Sequence, residues 1–241
     1  MRLPLFILLL VSLAAHAAEK SARSCRILFL NGPDNAPQKL HLFDGAGSQE
    51  VELTRMGFSP VYQLRSGDLT LAMLPSPPAP AAAGSAPSIP AGAPKAAIAE
   101  SITDFYLIVS SDPANQVAPI KMQVINADAA NFKRGQMLWY NLTDNKVGGI
   151  VGSRKLLVEP NSRLILDAPA NGLEDYPVNI HFLPPGKQRP EPLCETNWTH
   201  DPRSRSVFFV IKPANSLIPR IFGFPDFRSE VDSKPAGAPG T

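Results

Sequence analysis

The 241-residue chain carries 23 lysines and arginines against 21 acidic residues, a net charge of +2, and includes 26 prolines. So even a balance offers no field to concentrate nucleic acid or anionic lipid, and no nucleic-acid partner is expected. Proline neither continues a helix nor donates to a ladder, so the composition favours short elements and long loops. In chain order, Arg2 precedes an apolar run over residues 3–15 that closes on Ala15-His16-Ala17. This small–x–small pattern predicts a signal peptide over residues 1–17 and an exported chain, periplasmic or secreted, of bacterial type. The run is too short to span a bilayer comfortably, so no membrane span is expected once it is removed. Arg23 lies two residues before Cys25 and does not suit a lipidation site.

Short runs of Ile, Leu, Val and aromatics then alternate with Gly, Pro, Asn and Asp clusters, and no stretch keeps helical spacing for three turns. The fold class predicted is all-β. Strands are expected at residues 26–30, 39–43, 51–55, 61–64, 69–74 and 105–110, then at 121–125, 137–142, 155–158, 163–166, 178–183 and 207–212. Gly148-Gly149 reads as a hairpin bend or bulge. Residues 216–227 add a possible edge strand, and 228–241 read as a disordered tail.

The two series run in the same order. Residues 26–31 match 121–126, each ending in Asn, and 40–44 match 138–144. Further along, 59–64 match 161–166, 69–75 match 178–184, and 105–109 match 207–211. This predicts two tandem antiparallel β-sandwich modules of Ig-like type over residues 18–119 and 120–227. Each holds a proline-rich insertion before its last strand, at 75–99 and 184–205. The first reads as a disordered loop within a module or as a linker between modules.

Cys25 and Cys194 are the two cysteines. In an exported chain they either form a disulfide, closing a loop of about 170 residues, or remain unpaired, one in a core strand and one in a loop. Cys194, His200 and Asp201 have the residue types of a thiol nucleophile, base and orienting acid, but six residues of loop do not establish the aim such a set needs. His41, His181 and His200 sit beside no second His or Cys at ligand spacing, so no metal or other cofactor is expected. Glu174 and Asp175, or Asp226 and Glu230, form no evident acid/base pair. Trp139 and Tyr140 should face opposite sides of one strand, one of them core. Trp198, in the second insertion with His200, Arg203 and Arg205, is the contact surface expected on this reading, by stacking and charge. Asn141-Leu-Thr143 and Asn197-Trp-Thr199 match the glycosylation acceptor, which carries little meaning in a bacterial-type chain.

Asn31-Gly-Pro-Asp-Asn-Ala-Pro37, followed by Leu40-His-Leu-Phe-Asp-Gly45, Gly57-Phe-Ser-Pro-Val-Tyr62 and Gly67-Asp-Leu-Thr-Leu71, resembles the opening of a widespread exported bacterial β-sandwich domain of unknown function. The resemblance covers about fifty residues of the first module and implies no catalytic residues. Asn126-Ala-Asp-Ala-Ala130 lacks the prolines, so the second module follows by repetition alone. The function expected is a non-enzymatic cell-envelope protein whose β-sandwich loops contact another envelope protein or a glycan, with self-association as a further option. The competing expectation is an exported hydrolase or metal-dependent enzyme, with a site at the module junction built on His200 with Asp201 or Glu174.

Overall fold

The computed structural model describes residues 23–79, 89–213 and 216–227. The expected signal peptide, residues 80–88 of the first insertion and the tail 228–241 lie outside the described residues. Within them the chain is all-β without a helix. The first eight strands are β1 (Arg23–Phe29), β2 (Lys39–Phe43), β3 (Ser48–Glu52), β4 (Tyr62–Leu64), β5 (Leu69–Leu74), β6 (Lys95–Ile98), β7 (Asp104–Ser111) and β8 (Ile120–Asn126). The next eight are β9 (Met137–Asn141), β10 (Lys146–Val151), β11 (Arg154–Val158), β12 (Arg163–Leu166), β13 (Glu174–Leu183), β14 (Glu191–His200), β15 (Arg205–Ile211) and β16 (Arg220–Asp226).

They form four four-stranded sheets: sheet I in the order β4-β1-β7-β8, sheet II β3-β2-β5-β6, sheet III β12-β9-β15-β16 and sheet IV β11-β10-β13-β14. Raising each strand number of sheets I and II by eight gives the orders of sheets III and IV. The pairing is not wholly antiparallel as expected: β1 runs parallel to β7, and β9 parallel to β15. In this numbering three of the five matched segments occupy corresponding places, β4 with β12, β5 with β13 and β7 with β15. Two do not. Residues 26–31 belong to the central strand β1, whereas 121–126 belong to the edge strand β8, and residues 40–44 and 138–144 fall on β2 and β9. The strand expected to open the second half, β8, pairs with β7 and so completes sheet I.

Residue alternation fixes the order of the layers. Cys25, Ile27 and Phe29 of β1, with Phe105, Leu107 and Val109 of β7, face Leu40, Leu42, Leu71 and Met73 of sheet II. From the opposite face of sheet I, Leu28, Tyr106 and Ile108 meet Leu138, Tyr140, Val207 and Phe209 of sheet III. Trp139, Phe208 and Val210, on the far side of sheet III, pack on Val147, Tyr176, Val178 and Ile180 of sheet IV. The stack therefore runs II, I, III, IV, and the two central sheets are buried on both faces. This explains the unbroken apolar runs of β1, β7, β9 and β15, where a sheet with one wet face alternates. Both Trp139 and Tyr140 are core for the same reason.

Charge also crosses the seam between sheets I and III. The Asp226 carboxylate, fully buried on β16, receives Arg26 of β1, the Tyr106 hydroxyl of β7 and Arg205 of β15, the last at 3.1 Å. Arg205 also reaches Asp104 at 2.9 Å and donates to the carbonyls of Ala127 and Phe132. Its guanidinium lies over the rings of Tyr106 and Phe132 at 5.5 and 5.1 Å. Burial, and then the Asp226 charge, push the Tyr106 phenol well above its ordinary range, so it stays a donor.

Candidate functional site

Both insertions contain strand. Lys95–Ile98 pairs with β5, and Glu191–His200 pairs along β13 with a bulge near Ile180. In the second, residues 184–190 remain as a connecting turn. The expected loop contact surface is thus redistributed. Arg205 is a buried tie between sheets. Arg203 is exposed and grips the Asp201 carboxylate through Nε at 3.0 Å and Nη2 at 2.7 Å. Trp198 is half-buried, lying nearly parallel to Phe208 at 5.1 Å and to Trp139 at 6.2 Å. His200 is buried beside Tyr176.

Cys25 lies between sheets I and II while Cys194 packs at the edge of sheets III and IV, and the two are not joined. Of the two alternatives the sequence left open, the layer order favours the unpaired one, because it puts the I–III seam between the two sulfurs. The Cys194, His200 and Asp201 set is not assembled either. Six residues of extended strand separate Cys194 from His200 by roughly 20 Å. Asp201 holds Arg203 rather than the imidazole, and that partnership lowers its carboxyl to about 2. Burial pushes the Cys194 thiol up, away from the thiolate. Among the described residues no three His, Cys, Asp or Glu side chains converge as a metal-holding group. Asn141 of the first acceptor motif is buried and spends its amide on the Asn145 and Glu159 carbonyls.

What the structure does assemble is a groove of about 730 Å³ between β14 and β16, the outer strands of sheets IV and III among the described residues. Its size falls in the usual range of ligand clefts, roughly 300–1,000 Å³. Five consecutive residues from Asn197 to Asp201 line one wall, and Ile221, Gly223, Phe224, Pro225 and Phe227 the other. Consecutive rather than alternate residues mean that the cleft runs along the strand's backbone edge. Phe208 and Met137 floor it, with the Phe208 ring covering Gly223, where a Cβ would stand 2.6 Å from that ring. The rim carries Leu173 and Phe227, 68% and 56% exposed.

The corresponding edges of sheets I and II, β8 and β6, lie against each other, and among the described residues β14 and β16 make no such approach. β6 turns Ala96 and Ile98 inward, whereas β14 turns in Trp198 and His200.

His200 lines the groove as a residue 6% exposed, and its imidazole makes no side-chain hydrogen bond among the described residues. Burial lowers its pKa from the ordinary 6.5, against the opposing pull of Asp201 and Glu174. As pH falls through the window between 6.5 and the lower native value, the unfolded chain takes up a proton that the native state resists, so stability is lost there and fully present above it. The denaturation midpoint should therefore fall less between about pH 7 and about pH 5 in His200→Gln than in the parent chain. Identical slopes would remove His200 as the source. The residues that sequence reasoning did not connect with Trp198 and His200 are those of β16, brought beside β14 by the stacking of sheets III and IV.

No protein-family model matches the chain, and no characterised protein is significantly similar to it.

Proposed function

We propose that the chain is a non-enzymatic, exported cell-envelope protein of two tandem Ig-like sandwich modules, and that the second module binds a partner protein in the β14–β16 groove. The strand order repeated at an interval of eight supports the tandem reading, with the boundary between β8 and β9. The apolar run over residues 3–15 supports export, and the Asn31 opening supports kinship of the first module with exported bacterial sandwich domains. Asn31 takes the left-handed conformation, φ 52°, that such a strand-ending turn uses.

The observation that carries the binding reading is an apolar cleft lined by Trp198, His200 and Phe208 between β14 and β16, where the corresponding strands β6 and β8 of the other pair of sheets lie against each other. Leu173 and Phe227 place exposed apolar surface at the mouth of the cleft that Trp198 and Phe208 line, which a bound segment would cover. The test is affinity capture from the native envelope fraction with three forms of the mature chain. The parent is compared with Leu173→Asp/Phe227→Asp at the rim and with Leu157→Asp on the opposite edge. Loss of the same partner with the rim variant, and its retention with the Leu157 variant, is the expected outcome. Equal recovery by all three would contradict it.

A further inference from the structure

An occupant lying along β14 meets two different surfaces. Inward, it faces Trp198, Phe208 and the His200 imidazole. Outward, it lies beside Glu195, Asn197 and Thr199, which alternate with the inward residues and are exposed. Glu191 and Glu195 make no ion pair among the described residues. β14 is also an edge strand ten residues long, and such an edge offers a row of unpaired backbone groups.

Resting on the reading of the groove as the binding site, we propose that the occupant is an extended segment of another protein, which adds to sheet IV beside β14 with apolar side chains inward and lysine or arginine outward against Glu195. Main-chain hydrogen bonds would then hold the segment, while alternate side chains select it. Charge complementarity disfavours a second copy of this chain, because β14 holds no lysine or arginine to set against Glu195 in any register, and antiparallel pairing centred on Glu195 places the two carboxylates directly opposite each other, an unfavourable pair.

The test uses the full mature chain and a fluorescein-labelled eight-residue peptide of alternating valine and lysine, read by fluorescence anisotropy. Comparison peptides replace lysine with glutamate, or carry N-methyl groups on every second amide in either offset. The lysine peptide should bind about tenfold or more tightly than the glutamate peptide, and Glu195→Lys should reverse that preference. At least one N-methylated offset should abolish binding. Equal binding of the lysine and glutamate peptides, no loss with either N-methylated offset, or no binding of any peptide overturns the inference. So does dimerisation of the chain through β14, seen by sedimentation.

If Leu173→Asp/Phe227→Asp abolishes peptide binding that shows neither charge preference nor N-methyl sensitivity, strand addition by a basic segment falls and the groove stands. If that variant leaves all peptide binding unchanged, the groove falls too. Both rim residues are exposed, so an unchanged denaturation midpoint separates loss of binding from loss of fold.

Discussion

Asp226→Ala is expected to destabilise the chain by about 3–5 kcal/mol, a shift in Tm on the order of 10 °C for a protein of this size. The reason is asymmetry rather than the strength of any one bond. Asp226 is fully buried and is the shared acceptor of Arg26, Arg205 and the Tyr106 hydroxyl. Removing it leaves two guanidinium groups in the I–III seam, where Asp104 is the other carboxylate in reach of Arg205. Breaking a buried pair costs more than never having made it, so replacing Arg205 by methionine in the same chain should recover part of the loss. An exposed pair such as Lys39–Glu50 should leave the midpoint unchanged when Lys39 is removed. Denaturant midpoints of the four proteins measure all of this. An Asp226→Ala midpoint no lower than that of the Lys39 variant would show that the seam is not held by its charges.

The second large effect concerns Trp139. Truncation to alanine should cost about 3–5 kcal/mol, because the ring is wholly buried and stacks on Phe208 at 4.5 Å. Phenylalanine at the same position should cost far less. The indole Nε1 is buried without a hydrogen-bond partner among the described residues, and an unmade bond of this kind is worth about 1–3 kcal/mol. Trp139→Phe removes that penalty while keeping most of the stacked area. Equal destabilisation by the two substitutions would mean that the indole nitrogen has a partner and that the loss is all volume.

The core strands show where sequence was informative. The continuous apolar runs of β1, β7, β9 and β15 marked strands without revealing that both faces were covered. A run reads the same whether its second face meets another sheet or simply tolerates exposure. Gly148-Gly149 reads as a bend in sequence, yet Gly149 sits within the ladder of β10 at φ 151°, where a Cβ would come within 2.0 Å of the Asn179 carbonyl. The glycine is what allows β10 and β13 to approach.

In sequence β14 reads as a loop, because Glu191-Pro-Leu-Cys-Glu-Thr-Asn-Trp-Thr-His200 has little β-branched or apolar content. An edge strand needs little, and Pro192 is tolerated there because, among the described residues, one row of its backbone groups pairs with no strand. β6 was hidden in the same way by alanines within a proline-rich stretch. The Asp226 cluster had no local signature at all, since Arg26 and Asp226 are 200 residues apart.

Of the site, Trp198 and His200 were legible as unusual side chains in a polar segment. Their setting was not, because a groove between two sheets depends on which strands end at the edges. That order follows from the parallel placement of β9 beside β15, which nothing in either segment announces.

The central claim is that the β14–β16 edge is an open receiving surface. Site-resolved amide hydrogen exchange of the mature chain, alone and with the valine–lysine peptide, tests it most directly. Slowed exchange concentrated in β14 and β16, with the β6 and β8 amides unchanged, is the predicted result. Protection confined to other strands, or none anywhere while the peptide is bound, would contradict it.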